Sequence, residues 1–313
     1  MNMKELTVII PFLNEGIEVY NTVQNLRAST KEEFDILLIN DTSTDGFDYK
    51  NVADEFHCVY IEHAERKGVA GSREEGIKIC KTEYFILLDA HMRVYQSDWV
   101  SIIVKEIKQN KRALFCCLTK SLKKGAEEYE NDRLGVGCYI NFNKLSVDWI
   151  NTDFYPDFQF REIPCVLGAS YACNKSYWNY LYGLKGLLSY GFDEQLISMK
   201  VWMEGGKCLL INNVVFGHIF RTGKSVPYST KSHDYFYNKL LITELLIQNL
   251  QLKGTYLKSV RREAGIDKFN EILKTFINNT DDLLKEKAFY KENFTHNFNC
   301  IWELNNKYAR VHQ

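Results

Sequence analysis

Short apolar runs alternate with helix-like segments through the first third of this 313-residue chain, and this alternation constrains the fold more than any other feature. The runs with the length and composition of buried strands are residues 6–11, 35–40, 58–61, 84–88 and 114–118. The segments between them that space apolar residues at helical intervals are residues 17–28, 68–80 and 99–109. Such repetition predicts an α/β fold with a mostly parallel sheet and right-handed crossovers. Since the carboxyl ends of parallel strands share one edge, we expect loops 11–15, 40–46 and 89–93 to line one cleft.

The remainder of the chain becomes regular again only towards its end. Residues 119–160 mix charges, glycines and aromatic side chains, and we interpret them as an irregular lobe beside the sheet rather than a separate domain. After this lobe we expect a short apolar strand, helices near 175–181 and 193–203, and a strand over 208–216. From His233 onwards the periodicity is almost wholly helical, with a broad apolar face suited to packing back on the body.

Composition excludes several classes of protein. The formal net charge of -1 argues against a protein whose main task is to grip a phosphate backbone. Nine cysteines without a C-x-x-C pair argue against a disulfide framework or a zinc ribbon. The N-terminus lacks the apolar segment of a signal peptide, and no run approaches the length of a membrane span. Together these features predict a protein of the cytoplasm.

The tripeptide Asp89-Ala90-His91 directly follows the apolar run 84–88. An aspartate and a histidine two residues apart at a strand exit can face the same cation. This donor pair suits a borderline divalent ion such as Mn²⁺ better than a site made only of oxygens. Taken alone, the tripeptide is more often a polar turn that caps the next helix.

Polar residues also follow the first and second predicted strands. Pro11 cannot donate to a ladder, so we expect the chain to leave the sheet there and to bring Asn14 and Glu15 to the cleft edge. Asn-Glu is also typical of a helix start. Asp41 ends the second strand and can accept a hydrogen bond from a nucleobase imide or a ribose hydroxyl, although an Asx turn is the commoner explanation.

The segment 65–73 opens a helix with two glycines, Gly68 and Gly71, and with cations that include Arg73. Glycines and cations at a helix start favour a diphosphate site. No G-x-G-x-x-G follows the first strand, so a dinucleotide site of the Rossmann type is not supported. The pattern indicates a nucleoside diphosphate.

Taken together, these segments resemble glycosyltransferases of the GT-A fold. The first third is similar to the large family-2 type through residues 9–15, 40–45 and 68–73. The later part resembles polypeptide N-acetylgalactosaminyltransferases, and the segments that carry this likeness are residues 87–91 followed by Trp99, 164–172, 190–194, 200–206, 217–221 and 227–228. The matching segments cover about the first three quarters of the chain, in the right order.

The resemblance implies a Rossmann-like nucleotide-diphospho-sugar transferase fold with a helical C-terminal extension. We therefore expect a catalytic domain over 1–232, with a nucleotide-binding half (1–118) and a sugar and acceptor half (119–232), and the extension over 233–313. Helices, not a lectin-like repeat domain, follow the catalytic part, so the family's acceptor cannot be carried over.

The resemblance also implies a three-residue metal site. Asp89 and His91 would bind Mn²⁺ through the Asp-x-His motif, and His218 of the segment Gly-His-Ile-Phe-Arg would be the third ligand. A lone histidine after an apolar strand is otherwise more often structural. The metal would bridge the two phosphates of a UDP-sugar and offset the charge that develops on the departing UDP.

The residues implied to contact the UDP-sugar are Pro11, Asn14, Glu15, Asp41, Gly68, Arg73, Asp89, Gly168, Ala169, Arg221 and Tyr228. Among these, Asp41 would contact uridine and Arg73 the nucleotide region, and the small residues at 168 and 169 would lie against the sugar. Arg221 and Tyr228 would belong to a mobile loop that closes over the diphosphate, where the planar guanidinium matches phosphate oxygens.

The implied catalytic residues are Asp193, Glu194 and Arg221. The likeness to Gly-His-Ile-Phe-Arg favours retention, with the leaving phosphate taking the acceptor proton. The alternative is an inverting family-2-type enzyme with Asp193 or Glu194 as base, and helix N-terminal acidity explains these two carboxylates equally well. Ala169 replaces the family's second glycine, and Asp193-Glu194 replaces Glu-Asn, so the identity of the sugar stays open.

The leading hypothesis is a Mn²⁺-dependent transferase that moves a hexose or N-acetylhexosamine from a UDP-sugar to a hydroxyl of a surface glycan, a protein side chain or a modified nucleobase. A non-catalytic nucleotide-sugar-binding module is an alternative, but the joint presence of Asp89, His91, His218 and Arg221 speaks against it. A structural or interaction protein would explain the C-terminal helices and leave the polar motifs unexplained.

Overall fold

The computed structural model describes residues 4–123, 128–153, 155, 158–221 and 229–309. Its centre is a ten-stranded sheet. The strands are β1 (Leu6–Phe12), β2 (Asp35–Asn40), β3 (Val59–Glu62), β4 (Tyr84–Leu88), β5 (Met92–Val94), β6 (Ala113–Leu122), β7 (Tyr129–Asn141), β8 (Ser146–Asn151), β9 (Ser170–Asn174) and β10 (Lys207–His218). The main path runs β3-β2-β1-β4-β9-β6-β10-β5, and β7 pairs with β6 and β8.

Strand direction along the main path confirms a mostly parallel sheet. Strands β3, β2, β1 and β4 pair in parallel with one another, and β6 pairs in parallel with β10. Strand β9 is antiparallel to both β4 and β6, so β6 and β10 run in the same direction as the first four strands. Only β9 and β5 of this described path run the other way.

Helices cover both faces of the sheet. They are α1 (Ile17–Ser29), α2 (Tyr49–Glu55), α3 (Gly68–Ile79), α4 (Trp99–Gln109), α5 (Lys175–Tyr180), α6 (Asp193–Glu204), α7 (Ser232–Leu246), α8 (Leu250–Ala264), α9 (Ile266–Asn278), α10 (Thr280–Asn293) and α11 (Phe298–Ala309). Apolar residues of α1, α2 and α4 pack on one face, and those of α3, α6 and the C-terminal helices pack on the other. Strand β1 is buried throughout. Its nearly continuous apolar sequence is the one expected of a strand that is covered on both faces.

The C-terminal helices share the core of the sheet domain. Ile272 and Tyr290 belong to the same buried cluster as Ile197 of α6. The fully buried ammonium of Lys200 lies 2.9 Å from Glu286 Oε1 on α10. It also donates a hydrogen bond to the carbonyl of Gly183 (2.9 Å). The segment around Lys200 therefore packs the helices together. Among the described residues, no helix is long and apolar enough to cross a membrane.

Two local expectations are wrong. Pro11 lies inside β1, which ends one residue later. The register with β4 has already stopped at Ile9, and proline is tolerated where one side of a strand lacks a partner. The supposed irregular lobe contains the paired strands β7 and β8. The short strand expected after this segment is β9, which begins at Ser170 and directly precedes α5.

Candidate functional site

The loops that follow β1, β2 and β4 meet at one cavity of about 360 Å³, which confirms the expected cleft. This volume lies within the range of small-molecule sites. The predicted site residues in its wall are Pro11, Glu15, Asp41, Gly68, Arg73, Asp89, His91, Gly168, Ala169, Asp193, Glu194, His218 and Arg221. Tyr228, like Gly223 and Ser225 of the proposed closing loop, lies outside the described residues.

Sheet topology brings Asp89, His91 and His218 together. Asp89 follows β4, His91 precedes β5, and His218 ends β10, which pairs with β5 in the register His218↔Met92. The Nε2 atoms of the two histidines are 3.1 Å apart, and His218 Nε2 lies 3.5 Å from Asp89 Oδ2. One ligand atom of each residue lies within 4.8 Å of the others. This geometry lets the three side chains converge on one cation.

The chemistry of these three side chains fits a divalent metal. Burial lowers the pKa of His218, and the nearby His91 lowers it further, so the neutral, ligating imidazole is favoured. Burial raises the pKa of Asp89, but His218 and Arg73 lower it by more in total, so the carboxylate is ionised. The buried Nδ1 of His218 has no hydrogen-bond partner among the described residues, so Nε2 is the nitrogen that the cluster engages.

Glu15 lies behind His91 with its side chain only 6% exposed. Its Oε2 is 3.2 Å from His91 Nδ1, which leaves Nε2 of the same ring facing Asp89 and His218. The carboxylate also pairs through both oxygens with Arg221, with 2.7 Å from Nη1 to Oε1. A carboxylate that orients a ligating histidine is the usual outer partner in metal sites. The sequence did not predict that Glu15 would contact His91 and Arg221.

Arg73 connects the cluster of Asp89, His91 and His218 to the start of α6. It is 4% exposed, pairs with Asp193, and donates to Tyr171 Oη at 3.1 Å. Its other terminal nitrogen lies 3.2 Å from Asp89 Oδ1 and donates to the carbonyl of Gly168 at 3.0 Å. The structure thus places Arg73 between the cluster and the start of α6, and its contact with the nucleotide region stays a prediction.

Glu194 follows Asp193 in the cavity wall. Burial raises the pKa of Glu194 well above its ordinary value, and the charge of Asp193 raises it further. The carboxyl group lies against Gly168, where an added Cβ would be 1.8 Å from Glu194 Oε1. A side chain at position 168 would therefore have to displace the carboxyl group of Glu194.

Several backbone donors at the start of α3 already have partners within the protein. Asp41 accepts hydrogen bonds from the backbone N–H groups of Lys67 (2.8 Å) and Gly68 (2.9 Å). The Ala70 N–H donates to the carbonyl of Ser189 (3.3 Å). The N–H groups of Lys67, Gly68 and Ala70 are therefore already used, with Asp41 as the cap for the first two, and diphosphate binding at this helix start stays a prediction.

Asn14 is absent from the described cavity wall. Its side chain accepts a hydrogen bond from the Thr44 N–H (2.7 Å), and its own N–H donates to Ser43 Oγ (2.8 Å). These bonds hold the loop after β1 against the loop after β2. Asn14 thus shapes the cleft from outside it.

Further wall residues escaped the sequence prediction: Arg66, Trp149, Tyr190 and Phe220. The rings of Trp149 and Phe220 meet edge to face, with centroids 5.0 Å apart. Arg66 and Phe220 lie inside segments that the sequence had singled out. Trp149 is on β8, in the segment interpreted as an irregular lobe, and no sequence motif marked it as a site residue.

The sequence model of glycosyl transferase family 2 matches residues 7–178. Similar curated proteins include polypeptide N-acetylgalactosaminyltransferase 11 of Xenopus tropicalis, 26% identical over 246 residues (73% of this chain and 40% of that protein). Polypeptide N-acetylgalactosaminyltransferase 3 of Homo sapiens is 25% identical over 336 residues (98% of this chain and 49% of that protein). The chain thus spans less than half the length of these two relatives.

Among solved structures, the crystal structure of GalNAc-T7 with UDP, GalNAc and Mn²⁺ is similar with a TM-score of 0.74 and 19% identity. The match covers 99% of this chain and 59% of that one. The structure of S. aureus TarS 1-349 in complex with UDP-GlcNAc has a TM-score of 0.54 and 12% identity, covering 98% of this chain and 92% of that one. At these identities the likeness is one of fold, and it confirms the expected GT-A architecture.

Proposed function

The chain belongs to glycosyl transferase family 2, and from this premise we propose that it is a cation-dependent transferase of UDP-sugars. It would move a hexose or N-acetylhexosamine to an acceptor hydroxyl. The N-acetylhexosamine is favoured, because the relatives are named N-acetylgalactosaminyltransferases and TarS is described with UDP-GlcNAc. Residues 1–232 would form the catalytic domain, and the helical extension 233–313 would support it.

The observation that carries this proposal is the convergence of Asp89, His91 and His218 in the wall of one cavity. His218 comes from a part of the sequence distant from Asp89 and His91, and a polar turn or a structural histidine would not require their meeting. A bound divalent cation would neutralise diphosphate charge as a Lewis acid. GalNAc-T7, described with UDP and Mn²⁺, has the same fold.

The surrounding residues would divide the remaining tasks. Glu15 orients His91, and Arg221 would exchange its partner Glu15 for diphosphate oxygens, which its planar guanidinium matches. Arg73 holds Asp193 in a fixed position, where Asp193 can accept hydrogen bonds from sugar hydroxyls. Gly168 leaves the space in which Glu194 and the sugar would lie.

The state of the carboxyl groups favours retention over inversion. Within the described cavity wall, each carboxyl group is already engaged or favours its protonated form. Glu15 pairs with Arg221, Asp41 caps α3, Asp89 belongs to the metal cluster, Asp193 pairs with Arg73, and Glu194 has a raised pKa. An inverting enzyme needs a free carboxylate as base. We therefore propose that the leaving diphosphate, not Asp193 or Glu194, takes the acceptor proton.

UDP release tests the proposal. The protein would be incubated with a panel of UDP-sugars, with and without Mn²⁺, together with His218→Ala and with the control His296→Ala, whose exposed histidine lies outside the described cavity wall. We expect Mn²⁺-dependent release with at least one donor, retained in the control and suppressed in His218→Ala. No metal-dependent release with any donor would contradict the enzyme proposal, and full activity of His218→Ala would contradict the three-ligand site.

A further inference from the structure

His63 is a buried histidine just beyond β3 that the metal cluster does not use. Its side chain is 2% exposed, and it lies outside the described cavity wall. Its Nδ1 lies 2.8 Å from Asp41 Oδ1, and its Nε2 lies 3.0 Å from Glu75 Oε2 on α3. The imidazole therefore stands between a carboxylate of the cavity and the helix beside it. No sequence motif pointed to His63.

The hydrogen bonds of Asp41 are distributed unequally over its two oxygens. Oδ1 receives both His63 Nδ1 and the Lys67 N–H, each at 2.8 Å. Oδ2 receives the Gly68 N–H at 2.9 Å and lies 3.9 Å from Arg66 Nε. A carboxylate has about four acceptor positions, two on each oxygen. Oδ1 is thus saturated, and the free capacity of Asp41 is on Oδ2.

We propose that His63 is a positioning residue for the nucleoside end of the donor site. By holding Oδ1, it fixes the carboxylate plane of Asp41 so that Oδ2 accepts a hydrogen bond from the imide N–H or a ribose hydroxyl of a bound uridine nucleotide. This inference rests on the proposed function. It adds a residue that touches no substrate and acts only through Asp41.

The physical basis is the cost of a buried acceptor that loses its donor. Without the imidazole, Oδ1 keeps only the Lys67 N–H, and the carboxylate can rotate to recruit another donor. Rotation would disturb the cap on α3 and move Oδ2 away from the nucleoside. The cluster of Asp89, His91 and His218 should be unaffected, because it is not among the partners of the Asp41 side chain. Those described partners are His63, Arg66, Lys67 and Gly68.

Two amide substitutions separate this role from general packing. The side-chain amide nitrogen of Asn lies close to the position of a histidine Nδ1, and that of Gln close to Nε2. His63→Asn therefore keeps the donor to Asp41, whereas His63→Gln places its amide near Nε2, beside Glu75, and loses that donor. His63→Phe fills the space and also removes the donor to Asp41.

UDP affinity would be measured by calorimetry in the presence of Mn²⁺ for the wild type and all three variants, with circular dichroism as the check on folding. We expect His63→Gln and His63→Phe to bind UDP at least about tenfold more weakly, which corresponds to about 1.4 kcal/mol. His63→Asn should stay within about threefold of the wild type. Mn²⁺ binding without nucleotide should be equal in all four proteins. If His63→Phe does not fold, the Asn and Gln variants carry the test.

Two results would overturn the inference, and they are distinguishable from failure of the proposed function. Equal UDP affinity in wild type and variants would remove the positioning role while leaving the proposed function intact. Equal losses in His63→Asn and His63→Gln would show that packing, not the Asp41 hydrogen bond, matters. A wild type that binds Mn²⁺ but no UDP would overturn the proposed function and this inference with it.

Discussion

Replacing Glu15 with Gln should weaken Mn²⁺ binding without disturbing the fold. The carboxylate now contacts His91 Nδ1 at 3.2 Å and both terminal nitrogens of Arg221. Gln has nearly the same shape but only one acceptor oxygen, so it cannot serve both partners. Because the side chain is 6% exposed, water cannot easily replace the lost contact. His91 then loses the restraint that turns Nε2 towards the cluster.

Loss of such an outer partner costs about 10- to 100-fold in metal affinity. The lower figure corresponds to about 1.4 kcal/mol. The assay is a Mn²⁺ titration in which the electron paramagnetic resonance signal reports the free ion. Glu18→Gln is the matched control, because Glu18 lies 2.8 Å from Arg93, with its side chain 18% exposed, outside the described cavity wall. Glu18→Gln should bind Mn²⁺ like the wild type. Wild-type affinity in Glu15→Gln would refute the orienting role.

Three further predictions concern stability. Lys200→Met leaves Glu286 buried without its partner and should lower the free energy of unfolding in urea by about 3–5 kcal/mol. The double variant Lys200→Met/Glu286→Leu should recover most of this loss. Wild-type stability of Lys200→Met would contradict the prediction. Burial raises the folded-state pKa of Glu194 above 4.5. The protonated carboxyl group therefore contributes to the free energy of unfolding below pH 4.5, and this contribution is lost as the pH rises through the raised pKa. Glu194→Gln should lack this loss, and parallel pH–stability curves for wild type and variant would argue otherwise. Gly68 has φ +75°, and a Cβ added there would lie 2.2 Å from Ser189 Cα. Gly68→Ala should therefore lower the free energy of unfolding by at least about 1 kcal/mol, measured by thermal melting. An unchanged melting midpoint would speak against the close contact.

The parallel part of the sheet could be predicted because its strands are buried on both faces. Such strands are continuous apolar runs, as in β4, and the polar residues that follow them mark the cleft. Asp89 and His91 were predictable from their spacing at a strand exit. His218 could be linked to them only through the resemblance, since the sequence does not show that β10 pairs with β5.

The partners of the charged residues could not be predicted from the sequence. Asp41 was expected to contact uridine, and the sequence did not show that three protein donors also surround it. Arg73 was expected near the nucleotide, and the sequence did not show that it pairs with Asp193. Sequence pattern predicts which residues reach the cleft, whereas the choice among several nearby partners depends on side-chain geometry.

Strands β7 and β8 were missed because their exposed faces carry many polar residues. The first half of β7 is largely exposed and charged, so it lacks the apolar alternation by which a strand is recognised. This omission hid Trp149 from the predicted site. The expected cytoplasmic compartment stays a prediction, because it depends on composition and not on the fold.

Anomalous diffraction from crystals grown with Mn²⁺ and UDP would locate the bound cation. We expect one manganese peak bounded by Asp89 Oδ2, His91 Nε2 and His218 Nε2, with the diphosphate completing its coordination. A manganese peak elsewhere in the cavity, or bound UDP without manganese between these three residues, would contradict it.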